Sequence, residues 1–306
     1  MKVTVLAGGT GGTKLAHGFD MLGGEVQVTA IANVGDDAEL HGLHVSPDID
    51  ALLYTLAGLI NADRGWGVRG ETHTAHAMFE RLGEESWFTV GDADLATHVH
   101  RTRLLREGAS LTDATAAMAI ALGIQARILP ATDERLRTRI ETDAGLLDFQ
   151  DYFVRLRQEP GVRGIVLDGL ATARPSQAVL DAIQRADVVV IGPSNPLVSI
   201  GPILELAGMR EAIAQSAATK VALSPIIAGK ALKGPADRML DSLGHEATAL
   251  GVARLYAGLV DRFVIDEADV ALRPQVESLG MAVDVMPTIM RTDADRAALA
   301  RALIGG

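Results

Sequence analysis

Short runs of small and β-branched apolar residues recur along the chain, separated by stretches whose apolar positions follow the helical spacing. Residues 1–7 read as a buried strand, and 26–32 as a second strand of mixed alternating and continuous apolar character. Helices are predicted over 15–22 and 51–56. After position 160 the rhythm resumes, with strands over 163–167, 187–191, 220–223, 262–266 and 283–286. Helical patterns fall at 175–185, 239–243, 248–259 and 293–303. The 187–191 run is almost continuously apolar, as in a strand covered on both faces. Strands alternating with helices predict an α/β fold, here a Rossmann-like doubly wound and mainly parallel sheet.

Between 61 and 160 the texture changes. Helices are predicted over 71–82, 94–106 and 111–122, with a strand running from Arg127 towards Asp133 and an aromatic-rich cluster at Phe149, Tyr152 and Phe153. This stretch reads as a mostly helical insertion into a nucleotide-binding core made of 1–60 and 161–306. Its aromatic rings suit a core more readily than a wall for a planar ligand.

The first strand runs into Gly8-Gly9-Thr10-Gly11-Gly12-Thr13-Lys14. Glycine admits close approach to the main chain, and a helix N-terminus favours an anion through its free N–H groups and dipole. Thr10, Thr13 and Lys14 add hydroxyl and ammonium donors. The run fits neither common glycine motif: Lys14 is followed by Leu15 where a P-loop needs a hydroxyl, and Lys14 stands where the dinucleotide fingerprint needs its last glycine. It points to a nucleotide or diphosphate without choosing between them.

The second strand ends in Asn33-Val34-Gly35-Asp36-Asp37, and Ser46-Pro47-Asp48-Ile49-Asp50 follows before an apolar helical run. In a doubly wound sheet these segments share the carboxyl-end rim with the glycine run. Asp36, Asp37, Asp48 and Asp50 offer hard oxygen ligands for magnesium beside substrate phosphates, although Asp48 also reads as ordinary helix capping. Two more turns, Gly192-Pro193-Ser194-Asn195-Pro196 and the segment from Ser224 to Lys230, reach the same rim. In the insertion, Gly91-Asp92-Ala93-Asp94-Leu95-Ala96-Thr97-His98, Arg101 and Arg103 concentrate polar groups on one helix. Taken alone, His98 reads as a satisfied helix histidine and the arginines as solvated.

Composition narrows these readings. Only 4% of the 306 residues are aromatic, so aliphatic side chains and alanine must build the interior. There is no cysteine, which excludes disulfides, thiolate nucleophiles and cysteine-ligated metals. A formal charge of −11 argues against a general nucleic-acid surface. No apolar run reaches the ~18 residues of a membrane span and no signal peptide opens the chain, so a cytoplasmic protein is expected. A homodimer is the default oligomer.

With these segments assembled, the chain resembles the 2-phospho-L-lactate transferases of deazaflavin coenzyme F-420 biosynthesis, the CofD-like proteins. The resemblance rests on the Gly8 to Lys14 run, Asn33-x-x-x-Asp37, Ser46 to Asp50, Asp63-Arg64-Gly65-Trp66-Gly67, Gly91-Asp92-x-Asp94-x-Ala96-Thr97-His98, Gly192 to Pro196 and Ser224-Pro225-Ile226-Ile227. It implies transfer of 2-phospholactate or enolpyruvyl phosphate from a guanosine diphosphate ester to the ribitol hydroxyl of the deazaflavin Fo, with release of GMP. It also implies magnesium as cofactor, with Asp37 and Asp50 binding the metal or drawing the proton from the attacking hydroxyl, and Asp50 nearer that hydroxyl. Gly9, Thr10, Gly11, Gly12, Thr13 and Lys14 would cradle phosphate, and Ser194, Asn195 and Ser224 would hold the guanosine diphosphate part. Trp66, Asp94, His98 and Arg101 would form the Fo side. The alternative is a non-catalytic regulator that binds nucleotide sugars; a nicotinamide dehydrogenase fits less well, because its fingerprint fails.

Overall fold

The computed structural model describes residues 1–305. The chain opens with β1 (Lys2–Ala7), α1 (Gly9–Asp20) and β2 (Gln27–Ala32). A hairpin of β3 (Ala38–Leu40) and β4 (Leu43–Val45) then leads into α2 (Pro47–Leu56). Three helices follow: α3 (Thr74–Leu82), α4 (Asp92–Arg106) and α5 (Leu111–Ala121). After them come β5 (Arg127–Pro130), β6 (Arg137–Thr142), β7 (Gly145–Asp148) and β8 (Val162–Asp168). The remaining strands are β9 (Val188–Ile191), β10 (Thr219–Leu223), the short pair β11 (Ile226–Ile227) and β12 (Lys230–Ala231), β13 (Arg262–Ile265) and β14 (Ala282–Val285).

Seven strands form one sheet in the order β14-β13-β10-β9-β1-β2-β5, and every neighbouring pair is parallel. The chain winds outward from β1 through β2 to β5, then crosses back to β9 and winds the other way. This is a doubly wound α/β sheet, and its order reverses between β1 and β9, where such sheets open a crevice at their carboxyl ends. The apolar runs in the sequence are continuous because both faces are covered: all four residues of β9 are buried. Alanine and aliphatic residues fill the core.

Two local expectations change. The first helix starts at Gly9, not at residue 15, so the glycine run forms its first turns. Glycine disfavours helix interiors, yet here it permits contacts that outweigh propensity. A Cβ on Gly11 would lie 2.0 Å from the Pro193 carbonyl oxygen, and one on Gly12 would lie 2.8 Å from the Ala7 Cα. The strand at 163–167 also departs from its expected place in the core. It lies within β8, which pairs antiparallel with β6 in a separate sheet ordered β7-β6-β8. Conversely β5, from the 61–160 stretch, joins the main sheet beside β2, with Pro130 at its edge. Apolar periodicity marks a strand but not its partner. Phe149 and Tyr152 pack with Ile140, Val162, Val198 and Met239 in a second, smaller core beside this sheet. Among the described residues, no helix is long and apolar enough to cross a membrane.

Candidate active site

A cavity of about 670 Å³ opens at the carboxyl ends of β1, β9 and β10. Gly9, Thr10, Gly11 and Lys14 line it, while Gly12 and Thr13 stand behind them. The wall is closed by short contacts that only glycine allows. Gly12 N–H donates to Ser194 Oγ at 3.0 Å, and the Thr13 hydroxyl donates to the Gly9 carbonyl at 2.9 Å, so Ser194 and Thr13 are spent on the scaffold. Lys14 Nζ donates to the Met290 carbonyl at 3.0 Å. Burial and the charges of Arg296 and Lys233 lower its proton affinity.

Asp48 occupies one of the free N–H groups at the α1 N-terminus. Its Oδ1 accepts from Gly9 N–H at 2.6 Å and its Oδ2 from Asn33 Nδ2 at 2.9 Å. Burial pushes its carboxyl up to about 6, against the two hydrogen bonds and with the help of the Asp37 charge. Asp36 lines the same wall. Burial, reinforced by the Asp48 charge, holds its proton affinity well above the usual carboxylate range, and its Oδ1 has no hydrogen-bond partner among the described residues. Asp37, although adjacent in sequence, faces away from the cavity. Its oxygens accept from Ser46 Oγ at 2.6 Å and meet His44 Nε2 at 2.9 Å.

Asp50 and Asp94 reach the cavity from α2 and α4. Behind Asp50 lies Arg101, with no exposed surface, whose guanidinium pairs with both Asp50 oxygens and donates to the His44 carbonyl at 3.2 Å. Arg101 therefore supports a cavity residue instead of lining the cavity itself. His98 sits between two carboxylates, with Nδ1 3.6 Å from Asp50 and Nε2 3.5 Å from Asp94. Tyr54 Oη donates to Asp94 at 2.7 Å. Burial opposes the charge on Asp94, but His98, Tyr54 and Arg101 together keep its proton affinity below the usual carboxylate value. Arg103 is exposed and pairs with Glu107.

Two groups of carboxylates could hold a divalent ion. Asp50, Asp94 and His98 bring ligand atoms within 4.8 Å of one another, but the guanidinium of Arg101 already neutralises Asp50. Asp36 and Asp48 are also buried and line the cavity; among the described residues Asp36 Oδ1 has no partner, whereas both Asp48 oxygens, like those of Asp37, already have one. The metal-ligating role expected for Asp37 thus meets a carboxylate already committed to Ser46 and His44.

Aromatic side chains also line the cavity. Trp66, 44% exposed, stands at the mouth with the Arg64 guanidinium 5.2 Å over its ring. Phe149 and Phe153 stack at 5.3 Å and line the cavity, so these rings serve both the second core and the site. Asn195 also lines the cavity, with its Oδ1 accepting from Leu197 N–H at 2.9 Å. Ser224 does so too, its hydroxyl closed in a local turn with Ile226. Sequence reasoning missed Lys233 and the segment from Thr288 to Arg291, which complete the rim. They carry no pattern beyond turn residues and isolated charges.

Residues 3–293 match the family described as 2-phospho-L-lactate transferase CofD. The chain belongs to this family. The match spans every segment that lines the cavity, from Gly8 to Arg291. The chain is 41% identical to a phosphoenolpyruvate transferase of Streptomyces griseus, covering 98% of this chain and 96% of that protein. It is 38% identical to a 2-phospho-L-lactate transferase of Methanothermobacter thermautotrophicus, over 99% and 97%. CofD relatives named for two different acids are thus almost equally similar to it. The fold also matches a crystal structure of a UPF0052 family protein from Bacillus halodurans, with a TM-score of 0.65, 19% identity and 99% of each chain covered. Membership of the CofD family makes the protein a transferase, and its cavity is the place to look for the chemistry.

Proposed function

We propose that the protein moves a phospho-acid group, 2-phospho-L-lactate or enolpyruvyl phosphate, from its guanosine diphosphate ester to the ribitol hydroxyl of Fo. The ribitol oxygen forms a bond to the phosphorus bearing the acid, the bond from that phosphorus to the bridging oxygen breaks, and GMP leaves with that oxygen. The hydroxyl proton passes to a carboxylate. One observation carries this reading: in a chain of the CofD family, a single cavity joins a glycine-built helix N-terminus and Lys14 to buried carboxylates and an aromatic wall.

The division of labour follows from the contacts. The N–H groups of Thr10 and Gly11, with Lys14, face the diphosphate, since the N–H groups of Gly9 and Gly12 are already taken by Asp48 and Ser194. Magnesium, held by the unpartnered oxygen of Asp36 beside Asp48, would supply charge neutralisation for the diphosphate. Asp50, fixed by Arg101, orients the attacking hydroxyl and receives its hydrogen bond, so positioning and charge stabilisation do most of the work. Asn195 and the Ser224 turn border the guanosine side. Trp66, Asp94, His98, Phe149 and Phe153, all from the 61–160 stretch, border the Fo side.

The test is mass spectrometry of the product formed from Fo and each guanylylated acid in the presence of magnesium. An Fo–phospho-acid adduct with stoichiometric GMP is expected. No adduct from any acid, together with affinity for a UDP-sugar and none for Fo, would replace this reading by the nucleotide-sugar regulator.

A further inference from the structure

Lys233 stands on the rim, after the β11–β12 pair, and lines the cavity without pairing to any carboxylate among the described residues. This is unusual in its surroundings: Lys230, three positions earlier, faces Asp237 at 3.7 Å. Among the described residues the single hydrogen-bond partner of the Lys233 side chain is main chain, the Arg64 carbonyl, which accepts from Nζ at 2.9 Å. That contact is made possible by Gly65. A Cβ there would lie 2.6 Å from Lys233 Nζ, and the residue's φ of +75° is itself one that favours glycine.

The same point touches the phosphate side. The Gly65 Cβ position is 3.9 Å from the Thr10 side chain in the first turn of α1, and the charge of Lys233 is felt at Lys14. On the other flank, Gly65 is followed directly by Trp66, against which Arg64 stacks. One ammonium therefore lies between the α1 N-terminus and the loop that presents the aromatic wall. It has three donors and spends one on Arg64.

We propose that Lys233 couples the two substrates: its remaining donors contact the diphosphate of the donor while its bond to Arg64 fixes the Trp66 loop, so that donor binding tightens acceptor binding. This rests on the functional reading above, and binding measurements separate the two. Calorimetric titration of Fo into the magnesium-supplied protein, with and without guanosine diphosphate, is expected to show at least about fivefold tighter Fo binding when the nucleotide is present. In K233M that gain should fall below about twofold, whereas K230M, altered at an exposed neighbour, should keep the full gain. Coupling of about fivefold persisting in K233M would overturn the proposal, and so would a wild type that binds both ligands independently. A wild type that binds neither ligand would instead remove the functional reading on which the proposal stands.

Discussion

The two ends of the cavity are built from different materials. The glycine end is made of backbone: α1 is pressed onto the turn after β9, and its geometry depends on what Gly11 and Gly12 lack. The carboxylate end is made of side chains, with Tyr54, Asp94, His98, Asp50 and Arg101 in mutual contact between α2 and α4. A backbone-built site tolerates no added atom, because carbonyl groups cannot step aside. A site built from buried charge tolerates added atoms better than it tolerates a missing partner.

The largest effect is expected at the carboxylate end. R101M strands a buried Asp50 carboxylate and should cost about 3–5 kcal/mol in chemical denaturation, with loss of activity. The double variant R101M/D50N should recover much of that stability and none of the activity. If the single variant were as stable as wild type, the carboxylate end would not depend on its ion pair. In D50N alone, turnover should fall by at least about a hundredfold, near 3 kcal/mol of barrier; turnover within about threefold of wild type would remove Asp50 from the mechanism.

At the glycine end, G11A should cost about 3 kcal/mol, since its methyl would overlap the Pro193 carbonyl. Donor affinity should fall while affinity for Fo alone changes little. Equal losses for both substrates would erase the distinction between the two ends.

Asp36 sharpens the comparison from a different side. A carboxylate whose folded-state proton affinity is raised by burial costs stability at pH values above its folded pKa, and that cost fades as pH falls and the group is protonated. D36N should therefore raise the melting temperature by a few degrees, about 2–6 °C, at pH 7.5 and by less at pH 5, while activity drops. A lower melting temperature at pH 7.5 would mean that Asp36 is not strained by its burial. The smallest effect on stability is expected for W66A. The ring is partly exposed, so unfolding should shift by no more than about 0.5 kcal/mol, with Fo affinity weakened about tenfold.

Much of this site was legible along the chain. The glycine run, the Asp36–Asp37 and Asp48–Asp50 segments, and the turns at Ser194–Asn195 and Ser224 all follow strands or open helices, and parallel topology sends strand ends to one rim. Phe149 and Phe153 were legible as a cluster but not as a wall, because core and cavity demand the same rings. Lys233 was not legible at all: a lone lysine among turn residues looks the same whether it meets water or a substrate.

The sequence by itself determined the strands of the main sheet and most of the helices between them, because alternation, apolar runs and turn residues act on near neighbours, but not β6, β7 or the short hairpins. It also determined that the glycine run is neither a P-loop nor a dinucleotide fingerprint. Only the tertiary structure decided that β8 leaves the main sheet while β5 joins it, since pairing depends on partners far away in the chain. Only the tertiary structure, too, separated Asp36 from Asp37. The turn held by Asn33 Oδ1 on Gly35 N–H, at 2.8 Å, aims the first into the cavity and the second at Ser46 and His44. Likewise Arg101 finds Asp50 across 51 positions, and a buried charge takes its role from the partner that folding brings to it.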